Sequence, residues 1–350
     1  MREVLPVLDM KPIETEAELE DVLSRPTEGV LDSLRGLEGD ILVLGVGGKM
    51  GPSLARMARR AVESLGQRRR VFGVSRFTSP QAADRLRRHG VEPIVCDLAD
   101  AGAVCRLPEA PSVIFMAGQK FGTAERPDLT WVMNALVPGL VAERFMKSRI
   151  VVFSTGCVYP LTPVAGAGSQ EDDALGPPGE YANSCVGRER IFTYYSIRHR
   201  LPAVLFRLNY AIDLRYGVLL DVARNVAQGL PVDVTMGHVN VIWQGDASAR
   251  ALQCLSCVSS PPLALNITGR ERVSIRSLAE RFGELLGTRP VFTGHEAPTA
   301  WLSDASRSFK LFGPVTVTLD EMIAATAHWV KRGGVTLGKP THFETRDGQF

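Results

Sequence analysis

Tyr181 and Cys185 lie four residues apart in the stretch EYANSCVGRE, which runs from Glu180 to Glu189. Four residues make about one helical turn, so the phenol and the thiol share a face. A tyrosine can take or return a hydroxyl proton during hydride transfer at a carbinol, provided its pKa falls from about 10 toward neutrality. A nearby cation lowers such a pKa by about 1–3 units. Cys185 carries no positive charge, and as a thiolate it would push the phenol up. At the other end of the chain, VLGVGGKMG brings together Gly45, Gly47, Gly48 and Gly51 between an apolar run and a helical pattern. Glycines allow a tight turn and let phosphate approach the backbone, and the helix start offers unpaired N–H groups, here those around Lys49 and Met50. A plain strand-to-helix turn is the alternative. The strand before and the helix after favour dinucleotide binding.

The residues that follow refine the cofactor. The second strand ends at Ser75 and Arg76, where an NAD binder usually places a carboxylate for the ribose 2′-hydroxyl. A guanidinium pairs bidentately with phosphate, so Arg76 favours NADP over NAD. Asp97 and Leu98, after the third strand, are candidates to hold the adenine, and Asp97 also suits the N-cap of the helix in CDLADAGAV.

Alternating elements position these groups. From Asp40 onward, DILVLG, RVFGVS, EPIVC, SVIFMAG, IVVFST and PAVLFRLN read as buried strands separated by helical patterns. Such a rhythm predicts an α/β fold, a Rossmann-type doubly wound parallel sheet covered on both faces. One long helix is expected over 128–147 and another over 181–199. After Asn209 the segments shorten into a mixed region. We therefore expect an N-terminal helical extension over 1–38, with a capping box at Thr15 to Glu18. A dinucleotide-binding domain covers 39–208 plus about 239–262. A smaller substrate-binding region covers 209–238 and 263–334, and a polar, loosely held tail covers 335–350.

Composition excludes several classes. The 350 residues are 45% hydrophobic and 22% charged with a net charge of +2, so no strong field draws the chain to nucleic acid or a membrane surface. No apolar run is long enough to span a bilayer, and the N-terminus has no apolar signal core, which predicts a cytoplasmic protein. Six scattered cysteines fit reduced thiols. Cys254 and Cys257 form one CxxC without a second pair, so no metal site is expected.

With these motifs in order, the chain resembles the extended short-chain dehydrogenase/reductases, the NAD-dependent epimerase/dehydratase family, over roughly residues 40–330. Gly45, Gly48 and Gly51 stand at that family's GxxGxxG. FMAGQK is similar to its fourth-strand segment, which implies that Met116, Ala117, Gly118 and Lys120 line the cofactor. Asn134 matches the family's active-site asparagine, FSTGCVY resembles SSxxVY and puts Thr155 at the catalytic serine or threonine, and YANSC sits at YxxxK with Tyr181 as acid/base. Glu189 and RLNYA follow at similar spacing. The resemblance implies a small-molecule substrate that is sugar-like or polyol-like, and a homodimer built on the two long helices. GVGGKMG also looks like the loop of dihydrodipicolinate reductases, but the later motifs oppose that assignment.

Cys185 stands where the family has lysine, and three accounts stay open. Arg188 or Lys120 substitutes for the missing cation. The chemistry needs less base strength, or Cys185 itself is nucleophile or acid. Or redox activity is lost and the fold is a non-catalytic NADP-binding sensor or interaction protein. Tyr159, Asn209, Arg215 and His238 are candidate substrate contacts, and Trp243 and Trp301 read as core.

Overall fold

The computed structural model describes residues 12–123 and 125–349. The first eleven residues of the expected N-terminal extension, and the last residue of the expected tail, lie outside them. Seven parallel strands form the central sheet: β1 (Ile41–Leu44), β2 (Val71–Ser75), β3 (Glu92–Val95), β4 (Ser112–Phe115), β5 (Arg149–Thr155), β6 (Ala203–Leu208) and β7 (Leu263–Ile267). Their order across the sheet is β3-β2-β1-β4-β5-β6-β7, so the winding reverses beside β1. In an open α/β sheet that reversal point is where ligands bind, at the carboxyl ends of the strands. The central strands read ILVL and SVIF with every residue buried, as a sheet covered on both faces requires.

Two helices precede the sheet, α1 (Glu16–Leu23) and α2 (Glu28–Arg35), and the Thr15–Glu18 capping box is formed. Then come α3 (Gly51–Ser64), α4 (Pro80–Arg88) and α5 (Ala101–Cys105). On one face α3 and α10 (Gln244–Cys254) cover β1, β5 and β6, with Val30 and Leu34 of α2 sealing the outside. On the other, α5, α7 (Val137–Arg144) and α8 (Glu180–His199) bury Leu42, Phe115 and Phe192. A third core lies in the smaller region, where α9 (Val218–Ala227), α11 (Ile275–Leu286) and α13 (Leu319–Lys331) pack together and receive Leu19 and Leu23 of α1.

The structure corrects four sequence expectations. The helix expected over 128–147 is interrupted: α6 (Pro127–Trp131) passes into a π-turn, Val132–Leu136, before α7 resumes and ends at Arg144. Pro138 has no N–H, and its ring crowds the carbonyl four residues back, which belongs to Asn134. The chain widens there, with the Val137 N–H bonding the Val132 carbonyl. Second, β7 belongs to the main sheet, paired in parallel with β6 from Leu263 to Ile267, although 263 onward was expected in the substrate region. A five-residue apolar run carries no signal of which sheet it joins. Third, the cap of α5 is Asp100, whose carboxylate accepts the Ala103 N–H; Asp97 instead accepts the Ala99 N–H. Fourth, residues 335–349 are not loose. Thr341 and Phe343 are buried, and the segment bonds to Arg215, Asp221 and Thr299.

One buried ion pair locks α8 to the sheet. Arg207 on β6 meets Glu189 at 2.7 Å, and both side chains are almost wholly shielded from water. The Ser154 hydroxyl donates to the same carboxylate at 2.5 Å. Removing one partner from such a pair strands the other charge, at a cost of about 3–5 kcal/mol, whereas an apolar replacement of both is far milder. We predict that Glu189→Ala loses that much in denaturant unfolding and that Glu189→Leu with Arg207→Met loses much less. A Glu189→Ala loss below about 1 kcal/mol would contradict the assignment.

Candidate active site

The glycine loop joins β1 to α3. Gly45 has φ +89°, and a Cβ there would come within 2.6 Å of the Ala117 backbone nitrogen, so the loop passes too close to the end of β4 for any side chain. At Gly51 a Cβ would overlap the Val46 carbonyl oxygen. Gly47 faces Ser75 Oγ, which its Cβ would approach to 2.5 Å, while Gly48 has ordinary room. Helix α3 starts with Met50 as N-cap and no side-chain cap bond, leaving its first-turn N–H groups for another acceptor. Met50 packs on the core. Lys49 turns inward, its Nζ 3.1 Å above the Tyr216 ring centroid and 4.5 Å from that of Phe121. Burial, then the nearby Lys120 and Lys339, bring its pKa down to about 7 against the pull of Asp221 and Asp213.

At the far end of β2, Ser75 closes the strand and Arg76 is exposed beyond it, in none of the ion pairs of the described residues. Asp97 is exposed, and Leu98 is buried among the core residues under β2 and β4. These four residues share the carboxyl edge with the glycine loop.

The other end of the edge carries Asn134, Thr155, Tyr181 and Cys185. The π-turn buries Asn134 completely. Its amide donates to the Gln119 carbonyl and to Ser184 Oγ, both at 2.9 Å, and its Oδ1 accepts the Gln119 N–H at 2.9 Å. Arg188 completes the cluster: Nη2 donates to Asn134 Oδ1 and Nη1 to the Phe153 carbonyl, each at 2.6 Å. Gly118 is bare because a Cβ there would overlap Arg188 Nη2 and lie 2.8 Å from Asn134 Oδ1. Met116 and Ala117 precede it, Ala117 against Gly45.

Tyr181 opens α8, with Thr155 at the end of β5 opposite. Burial holds the phenol well above its usual range, and the Cys185 and Cys157 thiols push the same way; Arg188 and the hydrogen bond with Thr155 oppose them. Burial likewise raises the Cys185 thiol, with Arg188 and the hydrogen bond with Tyr181 pulling it back. Lys120 reaches the same place from the loop after β4. Burial lowers its pKa, while Cys157, Cys185 and Asp221 hold it up. Arg188, from α8 itself, thus opposes the rise at both groups, and Lys120 lies near Cys185 from the loop after β4 with its charged form disfavoured by burial.

The expected substrate contacts fare differently. Tyr159 is buried, its hydroxyl accepting from Arg207 at 2.6 Å and donating to Asn266 Oδ1 at 2.9 Å, so it braces the ion pair and lines no cleft. Asn209 is buried against Gly156 and donates to the Trp301 carbonyl at 3.1 Å. Arg215 is spent on Asp213 at 2.9 Å and Glu20 at 2.7 Å, tying α1 to the smaller region. His238 is half-buried on a short strand paired with Ser274; burial and Arg272 lower its pKa, Glu296 opposing, and its Nδ1 has no hydrogen-bond partner among the described residues. Trp243 and Trp301 are core. Sequence reasoning passed over Tyr210, which follows β6 at φ +42° with its hydroxyl buried and unpartnered among the described residues. It also passed over Ser184, the hydroxyl beneath Asn134. Neither residue type announces such a role in one sequence.

No protein-family model matches this chain, and no curated protein does. Solved structures do. MoeE5 in complex with UDP-glucose and NAD is 22% identical, with a TM-score of 0.67 over 84% of this chain and 99% of that one. The dTDP-glucose 4,6-dehydratase of Bacillus anthracis str. Ames, in complex with NAD, is 14% identical with a TM-score of 0.71 over 84% and 97%. The UDP-glucuronic acid 4-epimerase of Bacillus cereus, in complex with UDP-glucuronic acid and NAD, is 16% identical with a TM-score of 0.69 over 84% and 99%. This chain has the fold of the NAD-binding epimerases and dehydratases.

The lysine at the loop gives a test. With a pKa near 7, Lys49 is mostly neutral at pH 8. An anion beside it favours the charged form, so binding above pH 7 takes up a proton. We predict that affinity for inorganic pyrophosphate, followed by calorimetry, is highest below pH 7 and falls as the pH rises toward 10, and that Lys49→Met flattens the profile. A wild-type affinity that does not change with pH would contradict this.

Proposed function

We propose that the chain is an NAD(P)-dependent epimerase, dehydratase or reductase acting on a sugar-like, nucleotide-linked substrate, with Tyr181 as acid/base. The observation that carries this is the placement of Tyr181 beside Thr155 at the sheet's carboxyl edge, with Arg188 fixed one turn beyond Cys185 and Lys120 entering from the loop after β4. The residues present fit a dinucleotide: a glycine loop, an uncapped α3, and two buried polar atoms, Tyr210 Oη and Arg188 Nε, without partners among the described residues. UDP-glucose and NAD in MoeE5, on the same fold, favour the nucleotide-sugar class.

A bound oxidised nicotinamide would supply a hydride acceptor and a positive charge near the phenol. At neutral pH the raised pKa keeps Tyr181 protonated, ready to give a proton. To take one from a substrate hydroxyl, it needs the added cationic field to outweigh its burial. Thr155 would hold the same substrate oxygen. Arg188 keeps Asn134 and the end of β5 in register and contributes its own charge. Arg76 would meet the 2′-phosphate of NADP.

Fluorescence titration with NADPH and NADH, together with turnover on a panel of nucleotide sugars, tests the assignment. Tyr181→Phe should cut turnover by about 10²-fold or more while leaving nucleotide affinity within about twofold, and NADPH should bind tighter than NADH. Unchanged turnover in that variant would remove Tyr181 from its role, and tighter NADH binding would remove Arg76 from its own.

A further inference from the structure

The last described residues cross the site from one end to the other. The NAD-binding neighbours match over 97–99% of their own length but over only 84% of this chain, so roughly a sixth of it is additional to the shared fold. Residues 335–349 run from the glycine-loop end of the site to its acid/base end. The Leu337 N–H donates to the Arg215 carbonyl at 3.0 Å, next to Tyr216, on whose ring Lys49 rests. Thr341 then donates its N–H and hydroxyl to the Asp221 carboxylate at 2.8 and 2.6 Å. Arg346 donates to the carbonyl and hydroxyl of Thr299 and touches Met236, which packs in one cluster with Cys157, Ala182 and Tyr181. Gly348 ends against Gly179, two residues before Tyr181, so closely that a Cβ on Gly179 would lie 2.6 Å from the Gly348 carbonyl oxygen.

The segment is held mainly by polar contacts, and Phe343 is its one apolar side chain in the core among the described residues. Chain attached in this way opens at lower free energy than the sheet beneath it. Between Leu337 and Thr341 it brings Lys339 beside Lys49, while Lys49 and Lys120 share the Phe121 ring at 4.5 and 5.5 Å. Burial and the neighbouring lysines disfavour the charged form of Lys49, and a multivalent anion among them would favour it.

We propose that residues 335–349 form a strap that closes the cleft between the glycine loop and Tyr181, and that Lys339 completes with Lys49 and Lys120 a site for the diphosphate of the bound ligand. The diphosphate assignment rests on the function proposed above; the closure does not. Opening of the strap then sets the rate of ligand exchange.

Cys157, buried in one cluster with Met236, reports closure without any ligand. Iodoacetamide labelling of Cys157, followed by mass spectrometry, should be at least tenfold faster in a chain ending at residue 334 than in the full chain. Arg346→Ala, which leaves every core residue in place, should move it in the same direction. Equal rates in the full chain and Arg346→Ala, with the shortened chain equal or unfolded, overturn the strap. Lys339→Glu should weaken inorganic pyrophosphate at least tenfold with Cys157 still protected; unchanged affinity overturns the anion site. Release of NADPH, followed by stopped flow, should be at least tenfold faster from the Arg346→Ala protein, and an equal rate overturns the gating role. If neither NADPH nor NADH binds while Cys157 protection follows this pattern, the dinucleotide assignment falls and the closure stands.

Discussion

The site depends on how one buried guanidinium is satisfied. Arg188 projects from α8 and makes two 2.6 Å hydrogen bonds, to the Phe153 carbonyl and to Asn134 Oδ1, while its Nε has no partner among the described residues. A charge in that position costs several kcal/mol unless its donors are used, so its partners are constrained in turn. Asn134 must present its oxygen, which the π-turn ahead of Pro138 allows. Gly118 must lack a side chain. The spare donors of Asn134 then hold the Gln119 carbonyl and Ser184, which fixes the loop carrying Lys120. The cysteine at 185 becomes intelligible here. A lysine there would add a second cation to the helix face that Arg188 already occupies, three residues away, where like charges repel.

A second polar layer lies one residue along α8. Glu189 binds Arg207, Ser154 donates to Glu189, and Tyr159 bridges Arg207 to Asn266 on β7. The two layers divide the work. Glu189 and its partners clamp α8 to β5, β6 and β7. Arg188 and its partners place Tyr181, Thr155 and the loop after β4. Helix α8 thus carries adjacent residues of opposite charge, each held by different elements, and the phenol about two turns before them feels the positive one.

Much of this was legible from residues alone. Continuous apolar runs such as ILVL and SVIF, set between helical patterns, read as strands covered on both faces, and their alternation with helices gives the doubly wound order. Gly45, Gly47 and Gly51 were legible because close backbone approach admits nothing else. What was not legible depends on partners far away in the chain. Tyr159, Asn209 and Arg215 are polar residues near a sheet edge, and only the fold shows that Arg207, Trp301 and Glu20 have claimed them. The run at 263–267 is too short to declare its sheet. The π-turn hides in an ordinary helical pattern, although Pro138 marks where it must fall. The polar composition of 335–349 suggested a free tail because its anchors, Asp221 and Thr299, lie far back in the sequence.

The central claim is that Arg188, Lys120 and the positive charge of a bound cofactor together outweigh the burial that raises Tyr181, with Cys185 one turn along from it. The most direct measurement is the ionisation of Tyr181 in the nucleotide-bound protein, followed as the phenolate difference spectrum against the Tyr181→Phe protein across pH. The expected result is a Tyr181 pKa below about 10, the ordinary phenol value, with the bound nucleotide's charge adding to that of Arg188 and Lys120. A pKa that stays above that value in the complex would contradict it, and the fold would then hold its ligand without a working base.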